Sequence, residues 1–344
     1  MTEYMISLRK ANGADGVGPV RYLAYDNQGA PPRVLTDKRW LAEIILGFQA
    51  AQAAPDSHPT RTGDVLFFVH GFNVGQASAL QSQFDTADRL SRAGWKGRVI
   101  SFDWPSDGLV FAYLPDRSNA RAAANALVTS GIGLLETAQK QNCAINVHVM
   151  AHSMGCFVVQ QAFNWAYQDV PPSWKVAQVM FVAGDVDQSV FSEGMPTANV
   201  FSQYTGRFTT YRNSFDKALA VSNAKRLELA PRLGRVGLPD DAPQVMCEVD
   251  CSDLFAKLFP GAGQQLDPGL THGFYFQEKE FWRDAALTLA GGLDRNAIPT
   301  REKTLAADRF ILDPDGISMQ DYQKALAMAA MSPSTQPNQI SPNG

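Results

Sequence analysis

A continuous apolar run, Val65-Leu66-Phe67-Phe68-Val69, is the feature that most restricts how this chain can fold. A strand that is apolar at every position is buried on both faces, which is typical of parallel sheets covered by helices. Further strands are predicted at 98–102, 147–150, 176–182, 208–211 and 245–249, and segments with helical spacing separate most of them. Strands that alternate with crossover helices predict an α/β fold with one doubly wound, mostly parallel sheet.

Composition excludes several classes of protein. With a formal charge of -4, the chain has no excess of basic residues that would attract nucleic acid. Its apolar runs are shorter than the ~20 residues that a membrane-spanning helix needs, and no secretory leader is recognisable at the start. The four cysteines are too few for a disulfide framework, and Cys247 and Cys251 have no second ligand pair nearby. We therefore expect a cytoplasmic protein with no metal, no cofactor and no membrane insertion; its oligomeric state is not predicted.

The strand at 147–150 leads directly into Ala151-His152-Ser153-Met154-Gly155, and a helical pattern follows. A serine between small residues, at a strand-to-helix turn, is the pattern of a nucleophile elbow, in which strained backbone lifts one hydroxyl clear of the chain. Ala151 stands where glycine is usual, but its side chain is still small. Ser153 is the candidate nucleophile.

A serine hydroxyl needs a base that takes its proton and an acid that orients the base. Of the five histidines, only His272 follows Ser153, and it lies in a predicted loop after the last predicted strand. The order serine, acid, histidine is that of the α/β-hydrolase triad. Asp216, which follows a predicted strand where the next helix begins, is the favoured acid. Asp185 and Asp187 are the alternatives.

Acyl transfer also requires hydrogen-bond donors for the oxyanion. The backbone N–H of Met154, directly after the serine, is one candidate. The backbone N–H of Phe72 is the other, because it lies in His70-Gly71-Phe72-Asn73 at the end of an apolar strand. His70 and Asn73 are interpreted as residues that brace this loop by hydrogen bonds.

From 64 to about 289 the chain resembles the α/β-hydrolase superfamily, and more narrowly the bacterial alpha/beta hydrolases catalogued as domain of unknown function nine hundred. The resembling segments are Phe68-Val69-His70-Gly71-Phe72-Asn73, Ser101-Phe102-Asp103-Trp104-Pro105-Ser106, Ala151-His152-Ser153-Met154-Gly155, Ala183-Gly184-Asp185-Val186-Asp187 and 211–222. The resemblance implies an eight-stranded, mostly parallel core, with Ser153 as nucleophile, Asp216 as acid and His272 as base. We divide the chain into an N-terminal extension that packs on the core (1–60), a hydrolase catalytic domain (61–330) and a disordered tail (331–344).

Four aromatic residues are candidates for the wall of a substrate pocket, although packing in the core explains each of them equally well: Trp104, Tyr113, Phe191 and Phe274. The segment 188–206 is too short for a cap domain, which favours an open apolar cleft for small or medium acyl groups. The favoured function is that of a carboxylesterase that cleaves a small-molecule ester through an acyl-enzyme. The same triad would serve a thioesterase, lipase or acyltransferase, and a non-catalytic scaffold is a further alternative.

Overall fold

The computed structural model describes residues 2–13, 16–27, 29–52, 63–106, 113–135, 145–169, 174–220, 230–261 and 267–331. The chain divides into two compact units. The first contains Met1–Ala87 and Lys96–Val176, and the second contains Asp88–Trp95 and Ala177–Gly344. None of the described helices is both long enough and apolar enough to cross a bilayer.

The first unit contains a sheet with the strand order β6-β4-β5-β1-β2-β3. Its strands are β1 (Glu3–Arg9), β2 (Val17–Tyr25), β3 (Arg33–Leu35), β4 (Gly63–Val69), β5 (Arg98–Asp103) and β6 (Ile145–His152). β4 runs parallel to both β5 and β6, and β1 runs parallel to β5. β2 and β3 are added antiparallel at one edge. The short strand β3, whose three residues are all at least partly exposed, was not predicted from the sequence.

The N-terminal segment is built into this sheet. β1 pairs with β5 from Tyr4 opposite Ile100 to Ser7 opposite Asp103. Six of its seven residues are buried. The strands of segment 1–60 therefore do more than pack against the core, because β1 supplies backbone hydrogen bonds inside the sheet. The domain boundary at residue 60 stays a prediction, and the proposed tail at 331–344 lies almost wholly outside the described residues.

The helices of the first unit follow the predicted strand–helix alternation. They are α1 (Asp37–Gln52), α2 (Gln76–Arg92, which runs into the second unit), α3 (Tyr113–Ala126) and α4 (Met154–Asp169). Thr36 caps α1, because its hydroxyl accepts a hydrogen bond from the backbone N–H of Arg39 at 3.3 Å. The sequence also predicts a helix over about 118–140. The observed helix α3 begins earlier, and it is followed by π-helical geometry over Leu127–Ile132. Residues 136–144 lie outside the described residues.

The second unit contains strands in the order β10-β11-β9-β8-β7. They are β7 (Val176–Val182), β8 (Thr205–Arg212), β9 (Met246–Asp250), β10 (Arg301–Lys303) and β11 (Arg309–Leu312). β8 and β11 both run parallel to β9, and β10 and β11 form an antiparallel hairpin. The expectation that β9 is the last strand is wrong, since two short strands follow it. The mostly parallel pairing in the two units confirms the predicted α/β class.

Short helices connect the strands of the second unit. They are a 3-10 turn (Gln188–Phe191), α5 (Pro196–Tyr204), α6 (Leu233–Val236), α7 (Ser252–Leu258), α8 (Pro268–Gly273), α9 (Lys279–Ala290) and α10 (Met319–Met331), with 3-10 turns at Phe274–Gln277 and Arg295–Ala297. α9 and α10 pack together through an apolar cluster that includes Leu287, Tyr322 and Ala329.

A buried ion pair joins α9 to β10. The guanidinium of Arg301 donates to both carboxylate oxygens of Asp284 at 2.7 Å, and both side chains are almost completely buried. The hydroxyls of Tyr211 and Thr300 also donate to this carboxylate, at 2.7 and 2.6 Å. Burial opposes the charge, but Arg301 and the hydroxyl donors hold the pKa of Asp284 below its usual value. The pair therefore ties the C-terminal hairpin to the interior of the second unit.

Candidate active site

Ser153 lies at the turn between β6 and α4, with a backbone φ of +55°. Residues other than glycine rarely adopt positive φ, because the Cβ atom then crowds the backbone. The sequence predicts a helix from Phe157 to Tyr167, but α4 begins at Met154, the residue after the serine. The serine therefore sits in a strained turn directly before a helix N-terminus, as the elbow pattern requires.

Gly155 explains why the turn needs a small residue after the serine. A Cβ atom at this position would lie 2.4 Å from the carbonyl oxygen of Val69 and 2.6 Å from that of His70. These are backbone atoms at the end of β4, and they cannot move aside cheaply. On the other side of the serine, Ala151 is completely buried, which leaves little room for a larger side chain.

The loop after β4 runs directly against the serine turn. A Cβ atom on Gly71 would lie 2.9 Å from the Cβ atom of Ser153 and 3.2 Å from the carbonyl oxygen of His152. The residue after this glycine is Phe72, and Asn73 turns the chain with a φ of +58°. The segments that carry the amides of Phe72 and Met154 are thus both adjacent to the serine. Their role as oxyanion donors stays a prediction.

His70 braces this loop, which confirms the interpretation made from the sequence. Its Nδ1 lies 2.9 Å from the carbonyl oxygen of Gly71, and its Nε2 lies 3.3 Å from a carboxylate oxygen of Asp103. The indole N–H of Trp104 donates to the backbone carbonyl of His70 at 2.8 Å, and the two rings stack. Asp103 and Trp104 come from the end of β5 and the residue after it, so two strand ends are fastened together here.

In the second unit, Asp216 and His272 form a close pair. The Oδ2 of Asp216 lies 2.6 Å from the Nδ1 of His272, and the carboxylate is completely buried. The Oδ1 of Asp216 accepts a hydrogen bond from the backbone N–H of Leu219 at 2.9 Å, so the same side chain also caps the helical turn that begins at Lys217. The two oxygens therefore have separate tasks.

The alternative acids are engaged elsewhere. Asp187 accepts a hydrogen bond from Arg232 at 2.5 Å, and Asp185 lies 3.6 Å from the same guanidinium. Among the three carboxylates considered from the sequence, the structure brings Asp216 into contact with the imidazole of His272. Its role as the catalytic acid stays a prediction.

The expectation that His272 lies in a loop is wrong, because it lies near the end of α8. The helix starts with Asp267 as its N-cap, whose side chain accepts from the backbone N–H of Leu270 at 3.2 Å, and with Pro268 at its first position. An N-cap aspartate followed by proline is a common helix start. The sequence contains this signal at Asp267-Pro268.

Two side chains that the sequence reasoning missed hold the Asp216 turn against α8. The amide of Asn213 donates to the backbone carbonyl of Thr271 at 3.0 Å, and the hydroxyl of Thr271 accepts from the backbone N–H of Lys217 at 3.1 Å. Asn213 and Thr271 are both completely buried. These bonds fix the distance between the carboxylate and the imidazole, which the residues' separation in sequence could not indicate.

The electrostatic surroundings of His272 favour its charged form. Burial alone would lower the pKa of the imidazole, but the charge and hydrogen bond of Asp216 outweigh burial and raise it. The more distant charge of Asp185 adds to the increase. A raised pKa makes the neutral imidazole a stronger base. Among the described residues, no three side chains of the metal-binding types come together as a metal site.

The predicted pocket residues lie in packed surroundings. Trp104 and Phe191 are completely buried, and Phe274 nearly so, where it packs edge-on to Phe255. The side chain of Tyr113 lies outside the described residues. Substrate contact for these four residues stays a prediction, because the packing already accounts for three of them.

A family model described as alpha/beta hydrolase of unknown function (DUF900) matches residues 50–248. The chain belongs to this family. The match confirms the resemblance inferred from the sequence and includes Ser153 and Asp216, whereas His272 lies beyond its end. No curated protein matches this alpha/beta hydrolase.

Solved structures with some likeness to this alpha/beta hydrolase come from several organisms. A protein described as a predicted CIB-like hydrolase from Thermoplasma acidophilum is 14% identical, with a TM-score of 0.37, over 84% of this chain and 99% of that one. A hyperthermophilic esterase from Pyrobaculum calidifontis is 12% identical, with a TM-score of 0.36, over 84% and 85%. Carboxyl esterase 2 from Tuber melanosporum is 13% identical, with a TM-score of 0.31, over 84% and 72%. These likenesses are distant, and they carry no conclusion about substrate.

Proposed function

We propose that this alpha/beta hydrolase is a serine-dependent enzyme that cleaves small-molecule esters through an acyl-enzyme on Ser153. The observation that carries the proposal is the left-handed backbone of Ser153, with a φ of +55°, in a turn packed against the Gly71 loop. Such strain costs of order 1–3 kcal/mol and persists where the surrounding structure enforces it. Backbone strain of this kind clusters at active sites, and here it falls on the serine of a strand-to-helix turn.

His272 is the proposed general base and Asp216 the residue that orients it. Because Nδ1 of the imidazole lies 2.6 Å from the carboxylate, the Nδ1–H donates to Asp216 and leaves the Nε2 lone pair to accept a proton. In the first step, the Ser153 oxygen attacks the ester carbonyl while its proton moves to Nε2. The imidazolium then protonates the leaving alcohol, and a water molecule activated by the neutral imidazole hydrolyses the acyl-enzyme.

The backbone N–H groups of Phe72 and Met154 are the proposed donors to the oxyanion. Met154 is the first residue of α4, where amide groups lack partners within the helix and carry partial positive charge. Phe72 follows Gly71, which is in van der Waals contact with the serine turn. Donors of this kind contribute about 10²–10³ each in rate.

Labelling with a fluorophosphonate probe tests the activated serine. We expect the wild-type protein to be labelled and the Ser153→Ala and His272→Ala variants to lose labelling. Two variants serve as controls. Ser189→Ala removes an exposed serine. His148→Gln removes a histidine that also contacts a carboxylate, that of Asp64 at 3.2 Å. Both controls should keep labelling; a wild-type protein that does not react would favour the scaffold alternative.

Kinetics of a double variant test whether Ser153 and His272 act together. Residues that form one catalytic unit have strongly non-additive effects, so removing both should cost about as much as removing either. We therefore expect the hydrolysis rate of a p-nitrophenyl ester to be similar for Ser153→Ala, His272→Ala and the double variant. Multiplicative losses would contradict the proposed pairing.

The expected substrates are esters with small or medium acyl groups. Activity across a series of acyl chain lengths measures this preference, and cleavage of long-chain lipids alone would contradict it. The same series prepared as thioesters, and repeated with an added alcohol acceptor, separates hydrolysis of esters from thioesterase and acyltransferase activity.

A further inference from the structure

A polar network at the end of β1 connects the N-terminal strand to the loop beside Ser153. Asp103, the last residue of β5, is completely buried and holds the centre of this network. Its carboxylate accepts from the hydroxyl of Ser7 at 2.8 Å and from Nε of Arg9 at 2.8 Å, and it lies 3.3 Å from Nε2 of His70. Two strands and one loop therefore share a single buried charge.

Arg9 makes three contacts that no other residue type could combine. Besides the bond to Asp103, its Nη2 donates to the carbonyl of Trp104 at 3.0 Å and to the carbonyl of Val74. Val74 lies near the end of the loop that begins at His70, and Trp104 begins the segment after β5. A planar guanidinium with several fixed donors can bridge a carboxylate and two carbonyls, whereas an ammonium group cannot match that geometry.

The position of the network gives it a link to catalysis. Parallel strands place their carboxyl ends at one edge of a sheet, and Arg9, Val69 and Asp103 end the three parallel strands β1, β4 and β5. Arg9 holds the loop after β4 directly at Val74, and it holds the loop through Asp103 at His70. The same loop contains Phe72. One end of the proposed oxyanion loop is thus fastened to Arg9 directly, and the other end through Asp103.

We propose that Arg9 is a positioning residue that holds the oxyanion loop, and through it the Phe72 amide, in register with Ser153. This inference rests on the proposed function. Arg9 lies outside residues 50–248, so the contribution comes from a part of the chain that the family match does not cover. It gives the N-terminal strand a task in catalysis in addition to its place in the sheet.

Three variants test the inference. Arg9→Met keeps the length of the side chain and removes every donor, and Arg9→Lys keeps one charged donor group. Arg33→Met is the matched control, because Arg33 also holds two carboxylates, those of Asp26 and Glu43, in the N-terminal segment. Steady-state hydrolysis of a p-nitrophenyl ester gives kcat and KM, and phenylboronic acid reports affinity for a tetrahedral adduct on the serine.

We expect Arg9→Met to lower kcat about 10- to 100-fold while KM stays within about twofold, since a displaced donor loses part of the 10²–10³ that one donor contributes. Affinity for phenylboronic acid should fall in parallel with kcat. Arg9→Lys should be intermediate, and Arg33→Met should match the wild type. A general loosening of the fold would not weaken the tetrahedral adduct selectively.

Several outcomes would overturn the inference. One is a kcat within about threefold of wild type for both Arg9 variants. Another is a rise in KM with kcat unchanged, because the variants would then have lost uniform substrate binding and not transition-state stabilisation. If circular dichroism shows that Arg9→Met does not fold, the values for Arg9→Lys decide. A wild-type protein that reacts with fluorophosphonate while its Arg9 variants keep full activity refutes this inference alone. A wild-type protein that does not react refutes the proposed function as well.

Discussion

Replacing Asp216 by asparagine should remove catalysis while leaving most of the fold intact. The two carboxylate oxygens of Asp216 both accept hydrogen bonds, one from Leu219 N–H at 2.9 Å and one from the imidazole of His272 at 2.6 Å. Asparagine has one accepting oxygen and one donating NH₂ group, so it can satisfy only one of these partners. Either the helix cap or the orientation of the imidazole must be lost.

The size of the loss in kcat or in stability depends on which way the new amide group is oriented. If the amide oxygen keeps the cap, its NH₂ group faces Nδ1 and forces the proton onto Nε2, where the base can no longer accept one from serine. The equivalent change in a serine protease lowers kcat about 10⁴-fold, which corresponds to about 5 kcal/mol of transition-state stabilisation. If the amide turns round, the N–H of Leu219 is left unsatisfied at a cost of about 1–3 kcal/mol in stability.

The assay compares kcat and urea unfolding of the wild type, Asp216→Asn and a control, Asp267→Asn. Asp267 also caps a helix, α8, which carries His272, but its side chain is exposed and its cap bond is to the backbone N–H of Leu270. We expect the control to keep full activity. If Asp216→Asn retains more than about a tenth of wild-type kcat and also unfolds at the same urea concentration as the wild type, or if Asp185→Asn is the inactive variant, the assignment of the acid is refuted.

Two further predictions concern ionisable groups. Activity should rise with pH through the pKa of His272, which is raised above the ordinary histidine value of 6.5, because only the neutral imidazole accepts a proton. Asp185→Asn removes a negative charge that raises this pKa, so the variant should gain activity at a lower pH than the wild type. A pH–rate profile that is identical for the two proteins would contradict this. Asp284→Ala should lower the free energy of unfolding in urea by about 3–5 kcal/mol at neutral pH, because Arg301 is left buried without its partner. The pKa of Asp284 is lowered by folding, so the difference should shrink in acid as the wild-type carboxylate becomes protonated. A loss under about 1 kcal/mol would contradict the role of the pair.

The sequence predicted the main strands and the serine turn because both depend on local patterns. The apolar run before Val69 and the small residues around Ser153 are constraints of backbone packing, and the structure shows their cause in the close approach of Gly155 to β4. Asp216 could be favoured over its rivals by position alone, since it comes directly after a strand end and before a helix start. The structure adds the contact with His272.

The features that the sequence did not predict depend on contacts between distant residues or on weak local signals. β10 and β11 are short and partly polar, so neither contains an apolar run that would indicate a strand. They are strands because they pair with each other in a hairpin. The bonds from Asn213 to Thr271 and from Arg9 to Asp103 join residues that are far apart in the chain. No periodicity identifies such partners, and a buried arginine looks in sequence like any surface arginine.

The pairing of β1 with β5 also means that the region matched by the family model is smaller than the polypeptide needed to complete the sheet. A fragment trimmed to residues 50–248 would leave β5, whose last five residues are buried, as a bare edge with its backbone N–H and C=O groups unpaired on one side. Exposed apolar edges of this kind recruit strands from other chains and aggregate. Expression of the matched segment by itself would therefore give insoluble protein, whatever the chemistry of the full-length chain.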